Sequence, residues 1–219
     1  ASGKTEAAFL PVLTQLWENP SASVGVLYLS PLKALINDQF ERLEGLLEEA
    51  AIPVTKWHGD ASAAAKKRLM KRPRGIIQTT PESLESMLMY NSSGAYKLFS
   101  DLRFVIIDEM HYFMDNDRGL QLLCLLERLS RLIGFNPRRI GLSATLGDTT
   151  NAEKWLNTDS GRSCITPRTH EKGRTLRLSV RFFPIKEKIP NSDSKILLQN
   201  YYDYLFESTW NKHCILFSN

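Results

Sequence analysis

Five short apolar runs, each separated from the next by a longer amphipathic stretch, dictate what the chain can fold into up to Thr145. Val24–Ser30 is continuously apolar and bounded by Ser and Pro, the pattern of a strand buried on both faces. Val54–Trp57, Gly75–Thr79, Arg103–Asp108 and Arg139–Ser143 are the other four, and Val105-Ile106-Ile107 makes the fourth the clearest. Helical patterns lie between them. Gly3–Trp17 follows a tight turn, and Leu32–Ala50 places Leu35, Ile36, Phe40, Leu43, Leu46 and Leu47 near i, i+3 and i+4 spacing. Ala61–Lys71 is a basic helix and Leu120–Ile133 a leucine-rich one. Pro81 stands where a first helical residue belongs, with Thr80 as its cap. Strands alternating with helices of this length predict an α/β fold, a doubly wound parallel sheet with right-handed crossovers and helices on both faces. Such sheets hold their ligands at the carboxyl ends of the strands.

Beyond Thr145 the pattern changes. Asn151–Trp155 reads as a short helix, Thr158–Thr175 as a polar connection, and Leu176–Phe183 as a new alternating strand. The charged stretch Lys186–Ser194 then leads to a helix over Lys195–Trp210 and a strand over Cys214–Phe217. These shifts predict a first domain over residues 1–170, and over 171–219 a linker and the start of a second domain. The chain has no initiator methionine, opens within Ala1-Ser2-Gly3-Lys4-Thr5 and stops at a strand end, so both ends are expected to be cuts through a longer protein.

Composition narrows the class. With 42% hydrophobic and 24% charged residues the chain reads as an ordinary soluble globular protein. A net charge of +4 permits a polyanionic partner without requiring one. No signal peptide is visible and no apolar run would span a bilayer, so a cytoplasmic protein with no membrane partner is expected. Cys124, Cys164 and Cys214 stand far apart with no CxxC pair, which favours reduced, mostly buried thiols over a metal site. The basic cluster Lys66, Lys67, Arg68, Lys71, Arg72 and Arg74 reads as a solvated helix face. The leucines from Leu120 to Leu132, with Met87 and Met89, read as core.

Two segments carry chemistry on their own residues. Gly3-Lys4-Thr5 opening a helix has the form of the tail of a phosphate loop, in which backbone N–H groups at a helix N-terminus cradle phosphate oxygens. Lys4 would reach the β- and γ-phosphates of ATP, and the Thr5 hydroxyl would ligate Mg²⁺. Asp108-Glu109 emerges at the end of an apolar strand. Asp108 there suits a Mg²⁺-holding carboxylate, and Glu109 a base that orients and deprotonates the attacking water. An acidic pair capping a helix after a strand gives the same dipeptide, so the order of further motifs has to decide.

Ser30-Pro31-Leu32-Lys33-Ala34-Leu35 ends the first strand and Trp57-His58-Gly59-Asp60 the second. Thr79-Thr80-Pro81-Glu82-Ser83-Leu84 ends the third, Asp108-Glu109-Met110-His111 the fourth, and Ser143-Ala144-Thr145 the fifth. With Gly3-Lys4-Thr5 standing as motif I, the segments Ser30–Leu35, Thr79–Leu84, Asp108–His111 and Ser143–Thr145, in this order and spacing, resemble motifs Ia, Ib, II and III of superfamily 2 DExH-box helicases. Arg118-Gly119, Leu126-Glu127-Arg128-Leu129 and Arg138-Arg139-Ile140-Gly141-Leu142 are similar to the large helicase-related (Lhr-like) group, and Cys214–Asn219 resembles the opening of motif IV.

The resemblance implies a RecA-like fold of the phosphate-loop NTPase class, and a chain covering the first helicase lobe and the beginning of a second. It implies an ATP-dependent helicase or translocase acting on DNA or RNA. Ser2, Gly3, Lys4 and Thr5 would bind ATP; Lys4, Asp108, Glu109 and His111 would serve hydrolysis; Thr5 and Asp108 would hold Mg²⁺. His111 would couple nucleotide state to motif III or to the second lobe by a hydrogen bond, and the hydroxyls of Ser143 and Thr145 would link the Asp108-Glu109 site to nucleic-acid-binding loops. Pro31, Lys33, Gly59, Thr80 and Pro81 would track a nucleic-acid backbone, contacts that read no sequence. Motifs V and VI, with the expected arginine finger, are missing, so the chain alone is expected to be nearly inactive. A duplex-DNA translocase of a restriction or remodelling system, a truncated non-catalytic nucleic-acid-binding module, and an unrelated phosphate-loop NTPase stay open at this point.

Overall fold

The computed structural model describes residues 3–37, 47, 51–144, 149–158, 160–167, 181 and 191–211. Strands β1 (Val24–Leu29), β2 (Val54–Trp57), β3 (Gly75–Thr79), β4 (Phe104–Ile107) and β5 (Arg138–Gly141) form one sheet in the order β2-β3-β1-β4-β5. All four neighbouring pairs are parallel, so every strand delivers its carboxyl end to the same edge. All six residues of β1 and all four of β4 are buried, as a central strand covered on both faces requires.

Around the sheet stand α1 (Lys4–Glu18), α2 (Ala63–Lys71), α3 (Pro81–Tyr90), α4 (Ser92–Phe99), α5 (Asp117–Ile133) and α6 (Thr149–Asn157). Residues 33–37 and 47 are also helical. The two faces of the sheet bury separate cores. On one, Val26, Tyr28, Ile76 and Ile106 pack under α1 through Phe9, Val12 and Leu16. On the other, Leu27, Ile77, Val105 and Ile107 meet helices α3 to α6. From α5 come Leu122, Leu125, Leu126, Leu129 and Ile133, a helical stripe in which each buried side chain contributes about 1.5–3 kcal/mol.

The stripe also corrects an expectation. Leu120 is 62% exposed and Met89 58% exposed, because each lies two residues, about 200°, away from a buried neighbour on its helix. Cys124 is exposed and Cys164 partly so, contrary to the expectation of mostly buried thiols. Helix α4 was not foreseen: its Ser-Ser-Gly start looks like a turn. The Asn91 side chain caps it by accepting from the Gly94 amide at 3.1 Å.

The chain divides into two compact units, Ala1–Arg168 and Thr169–Asn219. In the second, α7 (Asn191–Thr209) is described, and Arg181 stacks over Tyr204 at 4.5 Å. Apart from Arg181, the strands expected at Leu176–Phe183 and Cys214–Phe217 lie outside the described residues. Among the described residues no helix is long and apolar enough to cross a membrane.

The amino ends of β1 and β4 are tied through Asp101. Its carboxylate accepts from the Ala22 amide at 2.8 Å and from Arg103 Nη2 at 3.2 Å, while Ser23 Oγ accepts from the Asp101 amide at 2.8 Å. Partial burial pushes the Asp101 carboxyl up, but the Ala22 amide and the Arg103 guanidinium outweigh it and hold its pKa below the usual value. A depressed folded-state pKa stabilises the fold above the unfolded value and loses that stabilisation as pH falls through the folded one. Asp101→Asn is therefore expected to cost about 1 kcal/mol at pH 7, a figure reduced for solvent screening, and to flatten the acid limb of stability. Urea denaturation at pH 7 and near pH 3 checks this; an unchanged acid limb would count against it.

Candidate ATP site and nucleic-acid groove

Among the described residues, Ser30–Leu35, Trp57–Asp60, Thr79–Leu84, Asp108–His111 and Ser143 sit at the carboxyl edge of the sheet or just after it. At the start of α1, Gly3 is the N-cap with φ +67, a left-handed conformation that glycine adopts without penalty and that turns the chain into the helix. Lys4 Nζ donates to the Ser143 carbonyl at 2.8 Å, across the edge from α1 to the segment after β5. Thr5 lies in the first turn of α1 and is partly buried. Ser2 and Thr145 lie outside the described residues.

Asp108 leaves β4 only 8% exposed. Its Oδ1 accepts from the Glu109 amide at 2.9 Å, and its Oδ2 accepts a hydrogen bond from the Tyr28 hydroxyl. Tyr28 was not foreseen as a site residue. Its phenol in an otherwise apolar strand was the available signal, since a buried tyrosine hydroxyl needs a partner. Glu109 has φ +46, a left-handed conformation that costs a side-chain-bearing residue about 1–3 kcal/mol and that recurs at functional sites. The bend lifts its carboxylate out of the strand line. Glu109 Oε2 is buried, accepts no hydrogen bond, and stands 3.4 Å from His111 Nδ1. The same His111 Nδ1 lies 3.0 Å from Ser143 Oγ. Ser143 thus touches Lys4 with its carbonyl and His111 with its hydroxyl. The Met110 amide donating to the Leu142 carbonyl at 2.7 Å fixes the two segments side by side.

Beside this cluster, at the ends of β1, β2 and β3, runs a groove of about 550 Å³ lined by Pro31, Lys33, Trp57, Gly59, Lys66 and Thr80 among others. Thr80 is buried and caps α3, its Oγ1 accepting from the Ser83 amide. Pro81 is buried at the first position of α3 and outside the groove lining. Lys33 Nζ pairs with Asp60 at 3.0 Å, an exposed pair whose Lys33 holds the Asp60 carboxyl below its ordinary pKa. His58, 5% exposed, has both ring nitrogens buried without a hydrogen-bond partner. Burial keeps it below its ordinary pKa, with Lys33, Lys66 and Lys56 reinforcing against Asp60.

Lys66 departs from the solvated-face expectation. Its ammonium donates to the His58 carbonyl and lies 5.7 Å from the Trp57 ring centre, inside the groove, while Lys67, Arg68, Lys71, Arg72 and Arg74 are exposed. Arg118 was also missed as a site neighbour. Its Nε donates to Glu82 Oε1 at 2.8 Å and its Nη2 to the Pro31 carbonyl at 2.7 Å.

A DEAD/DEAH box helicase domain model matches residues 1–153. The chain belongs to the DEAD/DEAH box helicase family. Within that family it is 38% identical over 180 residues to the ATP-dependent helicase Lhr-Core of Methanocaldococcus jannaschii, an alignment covering 74% of this chain and 21% of that one. It is 30% identical to the ATP-dependent DNA helicase Hel308 of Methanococcus vannielii over 231 residues, covering 100% of this chain and 28% of the relative. Among solved structures, the Mycobacterium smegmatis helicase Lhr bound to ssDNA and AMP-PNP superposes with a TM-score of 0.72 at 30% identity, covering 95% of this chain and 28% of that one. The chain therefore spans between a fifth and a third of the length of these relatives. The five-stranded parallel sheet is a RecA-like helicase fold, as the sequence motifs led one to expect.

Proposed function

We propose that this chain is the ATP-binding lobe of a cytoplasmic, ATP-dependent helicase or translocase that moves along nucleic acid. The observation that carries the reading is Ser143, which joins the Lys4 ammonium to the His111 imidazole beside the Glu109 carboxylate. A phosphate-loop lysine and a strand-end carboxylate joined through Ser143 and His111 suit phosphoryl transfer, in which positioning and charge stabilisation supply nearly all the catalysis. The similar Lhr helicase was solved with ssDNA and AMP-PNP bound, which supports both ligand classes.

On this reading Ser2, Gly3 and Lys4 bind the ATP phosphates, and Glu109 orients and deprotonates the attacking water. Thr5 and Asp108 would hold Mg²⁺. The donor set fits, since Mg²⁺ favours hard oxygens and takes one or two carboxylates plus substrate phosphates; bound there it neutralises phosphate charge. His111 with Ser143 and Thr145 links the hydrolysis site to the segment after β5. Pro31, Lys33, Gly59 and Thr80 meet the strand's phosphates, with Pro81 setting the start of α3. The unit Thr169–Asn219 is the linker and beginning of a second RecA-like lobe, so the isolated chain should turn over ATP far more slowly than the longer protein.

The test is nucleic-acid-stimulated ATP hydrolysis by a protein extended at both ends, through the full phosphate loop and the second lobe. Strong stimulation is expected; nucleic-acid binding without hydrolysis would instead favour a non-catalytic binding module. In the same protein, Lys33→Ala and Lys66→Ala should each weaken binding on all sequences alike and reduce the salt slope of affinity by about 1. Fluorescence titration at several salt concentrations reads this out, and an unchanged slope for both variants removes them from the groove.

A further inference from the structure

We infer that Arg118 is a positioning residue that couples nucleic-acid binding to ATP hydrolysis, by tying both walls of the groove to the segment that follows Asp108 and Glu109. The inference rests on the helicase reading above. Arg118 lies in the first turn of α5, ten residues beyond Asp108, with its guanidinium 5.5 Å from the ring of the fully buried Phe113. From there it reaches two other elements. One is the turn after β1, where the Pro31 carbonyl accepts at 2.7 Å. The other is the first turn of α3, where Glu82 Oε1 accepts from Nε at 2.8 Å and lies 2.7 Å from Nη2.

Pro31, Glu82 and Thr80 line the groove, and the 3₁₀ turn Met110–Tyr112 that connects Glu109 to Phe113 holds His111. A planar guanidinium with several donors in a fixed fork can serve a carboxylate and a carbonyl together, which an ammonium cannot do with the same geometry. Burial alone would raise the Glu82 pKa, yet its own amide, the Thr80 hydroxyl and Arg118 bring it below the ordinary value. Glu82 is therefore a fixed negative charge beside the groove, neutralised by Arg118. A strand pressing on Pro31 or on the start of α3 pushes against a cross-link whose other end is Phe113, the residue that closes the turn holding His111. Two sites joined by a rigid linkage of this kind carry a coupling free energy.

The experiment measures ATP turnover against nucleic-acid concentration in the full-length protein, comparing wild type with Arg118→Ala, Arg118→Lys and Glu82→Gln. Arg118→Ala is expected to lower the ratio of stimulated to basal turnover by roughly 5–100-fold, the usual range of coupling between sites, with basal turnover within about twofold of wild type. Arg118→Lys should recover part of that ratio and Glu82→Gln should lose part of it; these two keep the test open if the alanine variant folds poorly. Equal losses of basal and stimulated turnover, leaving the ratio intact, would overturn the inference and make Arg118 a residue of the fold alone. Wild-type turnover that nucleic acid does not stimulate would fail the helicase reading instead, a different result from the first.

Discussion

Replacing Glu109 by glutamine is expected to lower nucleic-acid-stimulated ATP turnover of the full-length protein by about 10²–10⁴-fold while leaving ATP binding in place. The amide keeps the size and reach of the side chain but cannot take a proton, so the loss reports the base and little else. The structure explains why this carboxylate is suited to the task. Its left-handed backbone turns it away from the line of β4, and Oε2 is buried with no hydrogen bond to compete for its lone pairs. Asp108, one residue earlier, is engaged on both oxygens by the Glu109 amide and the Tyr28 hydroxyl, which suits a fixed ion ligand better than a proton acceptor. Phosphate release and binding of a fluorescent ATP analogue, measured on the same preparation, separate the two effects. Turnover within a few-fold of wild type would assign the water-activating role elsewhere.

The largest expected effect on stability belongs to Gly119. A Cβ built there would lie 1.6 Å from the Phe113 carbonyl oxygen and 2.7 Å from its carbon, backbone atoms that no rotamer change can move aside. Gly119→Ala must therefore shift α5 away from the turn that follows the Asp108–Glu109 strand. Overpacking of this kind costs about 1–3 kcal/mol and more where backbone is involved, a large share of the roughly 5–15 kcal/mol by which domains are stable. Gly134, the C-cap of α5, offers the contrast. Its φ of +85 disfavours a side chain, but the space around it is open, so Gly134→Ala should cost only about 1–2 kcal/mol. Urea denaturation of both variants orders them. A Gly119→Ala chain as stable as Gly134→Ala would mean that the Phe113 segment yields easily, which contradicts the close backbone contact between it and α5.

How much of this was legible in the sequence depends on which interaction specifies each feature. The buried strands were, because Val24–Leu29 and Phe104–Ile107 are covered on both faces and only apolar, β-branched runs satisfy that. The cap and first residue of α3 were legible in Thr80-Pro81, a local signal. The grouping of Lys4, Asp108, Glu109, His111 and Ser143 was inferable only by trusting motif order, since the sheet that assembles them pairs segments far apart in sequence. What escaped was long-range and polar. Tyr28 reaching Asp108, Arg118 reaching Pro31, and Lys66 turning into the groove each depend on where a side chain's tip ends, which no periodicity encodes. The left-handed Glu109 was equally silent, since nothing about a glutamate announces a positive φ.

The strand order has a consequence for biosynthesis. β1 lies between β3 and β4, so the earliest of these five strands in the chain has no neighbour until β3 is made and gains its second only with β4. At about 5–20 residues per second, the roughly fifty residues separating it from β3 delay its first pairing by several seconds. Throughout that interval an apolar ribbon with open hydrogen-bonding edges is exposed to the crowded cell. The nascent lobe is then a natural client for holding chaperones, and slow translation between β1 and β3 should lower its yield more than slow translation after β4.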